Sequence, residues 1–213
     1  MNASPSRATT HPLRVLLFGI AAIALSHLLD PLGWRYFHFD GVYSDDFGRM
    51  LRVMGYVPVW LVLAAVFVLH ERPLGRGRWW RGATVLAGVA AAGIAGELLK
   101  LLLRRERPRA HEGEYVFRAF SERPFSSGGL AWPSSHAIVA FGAAAVLSRM
   151  FPRARAVFWA LAWGCGLSRV ADGAHFVSDV VTSAVVAWLV VDGVWRFAAP
   201  RAPARGTDVA LPA

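Results

Sequence analysis

Six apolar blocks, separated by short polar and aromatic segments, run along the chain. The first covers Leu13 to Leu29 and is closed by Asp30-Pro31, the second runs from Met50 to Leu69, and the third from Ala83 to Leu103. The fourth, AIVAFGAAAVLSRMF, follows His136; the fifth covers Ala156 to Leu167 and the sixth Phe176 to Phe197. A helix needs about 20 apolar residues to cross a bilayer core, within a range of about 17 to 25. Blocks two, three and six meet that length, while blocks four and five reach it by borrowing flanking residues or by tilting less. The pattern predicts an all-α integral membrane bundle of six transmembrane helices over residues 13–198. The flanks, 1–12 and 199–213, are rich in Pro, Ala, Ser, Thr and Arg and read as disordered cytoplasmic tails. A secretory signal is the competing reading of block one, since Arg7 and Arg14 accompany its apolar core and Ala24-Leu25-Ser26 is a weak cleavage site. Its removal would leave five spans and an orphaned terminus.

Composition agrees with the bilayer. Of 213 residues, 55% are hydrophobic and 17% charged, with a mean hydropathy of +0.41, too apolar for an ordinary soluble domain. The net charge of +9 could suit nucleic acid, but the basic residues flank apolar blocks rather than forming one long run. They read as membrane flanks plus a site for an anion, with no nucleic-acid partner. Cys165 is the only cysteine, so no disulfide can form within the chain.

The arginines also set an orientation. With the N-terminus inside, the inner side takes Arg7, Arg14, Arg72, Arg76, Arg78, Arg81, Arg149, Arg153, Arg155, Arg196, Arg201 and Arg205, all on short loops and tails. The outer basic residues concentrate between Lys100 and Arg123, in a loop that also carries glutamates. Trp79, Trp80 and Trp195 then fall at the inner interface, where indole rings are favoured. The expected location is the inner membrane of a cell, with the polar clusters on the outer, periplasmic side.

Three clusters of ionisable side chains fall on that outer side, and such residues near a bilayer point to function. The first closes block three: Lys100 and Arg107 are seven apart, so on a helix they share a face, and Pro108 would end that helix at or just before Arg107. Arg104, Arg105 and Arg109 read as basic residues snorkelling from a helix end. The second opens block four: Pro133-Ser134-Ser135-His136 reads as a capped helix start whose free N–H groups attract an anion, with a histidine placed to move a proton. The third is SRVADGAHFVSD, in which His175 and Asp179 are four apart and so share one helical face. A carboxylate on one ring nitrogen would leave the other free as base or nucleophile, and Arg169 adds a donor fork suited to phosphate. Together the clusters suit phosphoryl transfer, where positioning and electrostatic stabilisation dominate. No Cys/His or carboxylate cluster has metal-ligand spacing, so no metal and no other cofactor is expected.

Lys100-x6-Arg107-Pro108, then Pro133-Ser134-Ser135-His136, then Ser168-Arg169-x5-His175-x3-Asp179 resemble the three-part signature of the type 2 phosphatidic acid phosphatase family. One departure is Ser135, where that family usually has glycine; serine still offers a backbone N–H. The resemblance implies that His175 attacks phosphorus to form a phosphohistidine and that Asp179 orients it. It implies that His136 protonates the leaving oxygen and later activates water. Lys100, Arg107, Ser134, Ser135 and Arg169 would hold the phosphate oxygens, without a metal. It further implies a lipid phosphate or diphosphate as substrate, approached from the outer face among membrane lipids.

Elsewhere, Glu97 could pair with Lys100 or with Arg104, and the second is favoured. Asp172 reads as loop, His27 as interhelical glue, and Asp192 as too deep in block six to be near the site. The aromatic segment 30–50 is a candidate interfacial lid. Three rivals remain: a phosphotransferase passing phosphate from a polyprenyl diphosphate to another lipid, a vanadium haloperoxidase (against which the apolar blocks argue), and a non-catalytic lipid-phosphate binder or transporter. Phosphatidic acid, phosphatidylglycerophosphate, undecaprenyl diphosphate and the phosphates of lipid A all present the same group to such a site.

Overall fold

A computed structural model describes residues 12–70 and 79–199. The expected tails lie outside the described residues apart from helical positions at their borders, and so do Arg72, Arg76 and Arg78 of the basic inner loop. The described chain forms α1 (Pro12–His27), α2 (Asp30–Phe37), α3 (Asp46–Val53), α4 (Val57–His70), α5 (Trp80–Leu103), α6 (Ser135–Met150), α7 (Arg155–Ala171) and α8 (Val177–Ala198). Short 3-10 turns cover Pro108–Ala110 and Pro152–Ala154, and the described residues contain no strand. The all-α expectation holds.

At the centre is α6. Every residue from Ala137 to Leu147 is buried, and the helix packs on α5, α7 and α8. Its Gly/Ala-rich sequence permits close approach, which is how helices associate where lipid tails offer no hydrophobic contrast. On α5, a Cβ at Gly88 would lie 2.4 Å from Val146 Cγ2, so that contact requires glycine. In turn, α1 packs on α8, α4 on α5, and α3 on α7. Outward-facing positions include Leu17, Phe18, Ile20, Val62, Val66, Ile94 and Leu102, a surface suited to lipid rather than water.

Among the described residues two helices, α5 with 24 residues and α8 with 22, are long and apolar enough to cross a membrane, and up to four spans result if each of two bent pairs counts as one. Between α1 and α2 the chain bends by 51°, and between α3 and α4 by 67°. The second apolar block is therefore not one helix. Its break falls at Met54–Tyr56, just before Pro58 in the first turn of α4, where a missing N–H costs nothing. Likewise Pro31 opens α2 instead of closing the first block. By length, α6 with 16 residues is a shorter apolar helix.

Candidate active site

The signature segments sit at consecutive helix ends that the antiparallel packing brings together: the end of α5, the start of α6, the end of α7 and the start of α8. At the first of these, α5 stops at Leu103, four residues before Arg107, because Arg104 takes a left-handed conformation with φ 55°. Lys100 and Arg107 thus do not share a helix face; Arg107 is extended and its N–H donates to Gly129 O at 3.2 Å. Nor do Arg104 and Arg105 snorkel, since each is only 1% exposed. Burial of a guanidinium demands acceptors, and both find them inside the protein. Arg104 donates from Nε to Arg118 O (3.1 Å) and from Nη2 to Ala119 O (2.9 Å) and Glu122 O, tying down the loop between α5 and α6. Arg105 Nη2 donates to Asp179 Oδ1 at 2.5 Å and Ser178 Oγ at 2.7 Å.

Ser134 is the N-cap of α6, as its position suggested; its side chain accepts from Ala137 N at 3.4 Å. Its own N–H donates to Ser183 Oγ at 3.0 Å, so both its hydroxyl and its amide are engaged within the protein. Ser135 Oγ accepts from Lys100 Nζ at 2.5 Å and donates to Glu97 Oε1 at 2.6 Å. Glu97 therefore partners Ser135 and Lys100 (3.8 Å from Nζ), not Arg104. His136 follows in the first turn, and Gly55 of the α3–α4 elbow leans on it: a Cβ there would fall 2.6 Å from His136 Cβ. The Tyr56 ring meets the His136 ring edge-on at 5.3 Å.

His175 and Asp179 do not lie on one helix. α8 starts at Val177, so His175 sits in the preceding turn and Asp179 in the first helical turn, where Oδ2 accepts the Phe176 N–H at 2.7 Å. His175 Nδ1 lies 2.9 Å from Ala131 O and 3.5 Å from Asp179 Oδ2. A carbonyl can only accept, so Nδ1 carries the proton and the Nε2 lone pair is free. Burial pushes the His175 pKa down to about 3, which keeps the ring neutral.

Arg169, at the end of α7, donates from Nη1 to Tyr43 Oη at 2.8 Å and faces Asp172 at 3.4 Å. Asp172 is thus more than loop, since it also meets Arg109 at 3.4 Å. Tyr43 belongs to segment 30–50, which folds over the end of α7: its hydroxyl donates to Ser168 O, and Phe39 N donates to Ala171 O. The same ring carries Arg52, whose guanidinium carbon lies 5.0 Å from the Tyr43 centroid. Sequence reasoning missed Arg52, because it lies on α3, far from the signature. Lys100, Arg107, Arg169 and Arg52 all act electrostatically on His136. The Nε atoms of Arg52, Arg107 and Arg169 are buried without a hydrogen-bond partner, as are Arg105 Nε and Arg118 Nη1.

A cavity of about 490 Å³ opens beside this cluster, with His136, Ser135 and Glu97 at its polar end and Val57, Ile94 and Leu98 along its wall. At the opposite end of the bundle Arg149 and Arg196 pair with Asp192, and Trp80 meets Trp195 at 5.6 Å. Asp192 is accordingly remote from the site. His27 bonds Ile23 O and packs edge-on against Trp132. Among the described residues, no group of three or more His, Cys, Asp or Glu could hold a metal.

Comparison with known proteins agrees with this arrangement. Over 104 residues the chain is 36% identical to a lipid A 1-phosphatase of Rhizobium etli, covering 48% of this chain and 44% of that protein. Over 112 residues it is 38% identical to a lipid A 1-phosphatase of Rhizobium johnstonii, covering 51% and 45%. It therefore spans less than half the length of these curated relatives. The fold is similar to that of a transmembrane PAP2-type phosphatidylglycerolphosphate phosphatase from Bacillus subtilis, with a TM-score of 0.61, 19% identity and coverage of 89% of this chain and 96% of that one. The model of the PAP2 superfamily matches residues 81–202, which hold all three signature segments, and the chain belongs to that family.

Proposed function

We propose that the protein is an integral membrane phosphatase that hydrolyses a phosphomonoester or diphosphate on a lipid through a phosphohistidine at His175. The observation that carries this reading is the bonded Nδ1 of His175, which leaves Nε2 free beside a cluster of cations with unfilled donors. In the first step Nε2 attacks phosphorus, the bond to the leaving oxygen breaks, and His136 gives that oxygen its proton. In the second, His136 takes a proton from water, the oxygen attacks phosphorus, and the P–N bond breaks. Lys100, Arg107 and Arg169 neutralise the phosphoryl oxygens, with Arg52 beside them, and the N-terminal turn of α6 at Ser134 and Ser135 adds positive potential. Asp179 holds the His175 ring as it becomes cationic. The apolar cavity beside His136 receives the hydrocarbon side of the leaving group.

Six crossings fit this chemistry, with α1, α4, α5, α6, α7 and α8 spanning and α2 and α3 lying at the outer interface. The arginines on the short inner loops and tails support a site on the periplasmic face of the inner membrane. The two rhizobial relatives make a glycolipid phosphate of the lipid A type the first substrate to test. Purified protein assayed for phosphate release across lipid A, phosphatidic acid, phosphatidylglycerophosphate and undecaprenyl diphosphate, with His175→Ala as control, decides the matter. Release from one of these by the wild type and none by the variant is expected. Equal release by both would overturn the mechanism.

A further inference from the structure

Arg105 is a buried charge that the phosphatase chemistry does not use directly. It is 1% exposed and enclosed by three rings: Trp132, Phe176 and Tyr115 lie 4.5, 4.8 and 4.9 Å from its guanidinium carbon. Such a cation persists in an apolar box only if carboxylates hold it. Two do. Asp179 takes Nη2 at 2.5 Å, and Asp30, on α2, lies 3.8 Å from Nη1. Ser178 joins them, accepting from Arg105 and donating to Asp30 Oδ2 at 2.5 Å, while its N–H donates to Asp30 Oδ1 at 2.7 Å. Tyr115 adds a hydroxyl donor to Asp30 Oδ2 at 2.5 Å.

Arg105 reaches His175 by two routes. Its side chain fixes Asp179, which stands 3.5 Å from Nδ1. Its backbone carbonyl accepts the Ala131 N–H at 2.7 Å, and the Ala131 carbonyl in turn accepts Nδ1–H at 2.9 Å. Both acceptors of the same proton are thus hung from one residue. With both carboxylates ionised, Arg105, Asp179 and Asp30 sum to one negative charge, and His175 is neutral. When Nε2 bonds phosphorus and Nδ1 keeps its proton, the ring becomes a cation and the buried cluster becomes neutral overall. The charge the reaction creates is therefore matched before it forms.

We infer that Arg105 is a positioning residue for His175, acting through Asp179 and Ala131, and that Asp30 supplies the second carboxylate of this preset counter-charge. The inference rests on His175 being the nucleophile. It ties α2, outside the signature, to the reacting histidine, because Asp30 reaches the dyad through Ser178 and Arg105.

The test separates transition-state from ground-state recognition. Orthovanadate adopts the five-coordinate geometry of phosphorus under attack and inorganic phosphate does not, so binding of each to Arg105→Gln, Arg105→Lys and wild-type protein in detergent is compared. Arg105→Gln should lose about 100-fold in vanadate affinity and less than about threefold in phosphate affinity, with Arg105→Lys in between. With a lipid substrate, kcat should fall by the same factor as vanadate affinity while KM stays within about threefold. A purely structural residue would weaken both anions alike. If Arg105→Gln does not fold, Asp30→Asn stands in, with about a tenfold loss of vanadate affinity and phosphate binding kept. Unchanged vanadate-to-phosphate preference in the folded variants sinks the inference, even if the wild type is an active phosphatase. A wild type that binds vanadate yet releases phosphate from no lipid sinks only the substrate reading, and the variants still decide the role of Arg105.

Discussion

Arg105 and Arg107 are two residues apart, and one is a fully buried cation while the other is half-buried. Arg105, with its neighbour Arg104, belongs to a floor in which the charge meets carboxylates, backbone carbonyls or aromatic faces. Arg107, with Arg169 and Arg52, lines a cup in which each Nε is buried without an acceptor, while Arg169 Nη1 donates to Tyr43 Oη. A buried donor without a partner is costly, and the cup concentrates three such groups beside two histidines. The floor arginines spend most of their donors on fixed acceptors inside the protein, Arg105 Nε apart, whereas in the proposed function the donors of the cup meet an anion.

The sharpest way to break this comparison is to remove the two histidines proposed to react. His175→Ala and His136→Ala should each lower phosphate release by at least about 1,000-fold while binding of inorganic phosphate persists, because the cations of the cup remain. Equilibrium binding in detergent, set beside a release assay, checks both halves. A variant that loses binding as completely as turnover would mean that the histidines hold the cup together instead of reacting in it.

Next in size are the cations themselves. Arg107→Ala should weaken inorganic phosphate binding by about 10- to 100-fold, the worth of a charge-assisted contact, with a melting temperature no lower than wild type, whereas Arg169→Ala should also lose its bond to Tyr43 and melt lower. Arg104→Ala should do the reverse. It strands the carbonyls of Arg118, Ala119 and Glu122 and should cost about 3 kcal/mol of stability, with phosphate affinity kept. Thermal unfolding and phosphate titration on the same preparations read both axes. A melting loss in Arg107→Ala equal to that in Arg104→Ala would erase the distinction between floor and cup.

Most residues proposed for the cup stand out in the sequence, and few of the floor do. Lys100, Arg107, Ser134, Ser135, His136, Arg169, His175 and Asp179 announce themselves because reactive side chains are rare among apolar blocks. What they bond was less visible. The backbone turns left-handed at Arg104, which ends α5 early and swings Arg105 inward, and no residue type there signals it. The closest partner of His175 is a carbonyl of residue 131, and backbone acceptors leave no trace in side-chain spacing. Arg52 and Asp30 come from outside the signature and reach the site only through the bends of α1–α2 and α3–α4. The helical class was plain from the apolar blocks, whereas their breaks depended on packing, as where Gly55 meets His136.

Acid should separate the two regions once more, by smaller amounts. Burial holds the His175 pKa at about 3, below the value of about 6.5 it takes when unfolded. As pH falls below about 6.5 the unfolded chain binds a proton that the folded chain refuses, so stability drops by up to about 1.4 kcal/mol per pH unit. His175→Ala should flatten that slope between about pH 6.5 and 5. Glu106 behaves differently: hydrogen bonds from His111 (2.6 Å) and Arg118 (2.7 Å) hold its carboxyl below the usual range. A depressed carboxyl stabilises the fold above its unfolded pKa of about 4.5 and loses that contribution as pH falls through the folded value. Glu106→Gln should therefore melt slightly below wild type at pH 7 and converge with it below about pH 4, with phosphate binding unchanged throughout. The His175 loss begins near pH 6.5 and the Glu106 loss only below about 4.5, so thermal unfolding at pH 7 and 5.5 isolates the first, and at pH 4, where both act, comparing each variant with wild type assigns the second. Convergence of Glu106→Gln with wild type already at pH 5.5 would mean that His111 and Arg118 do not anchor the loop between α5 and α6 through this carboxylate.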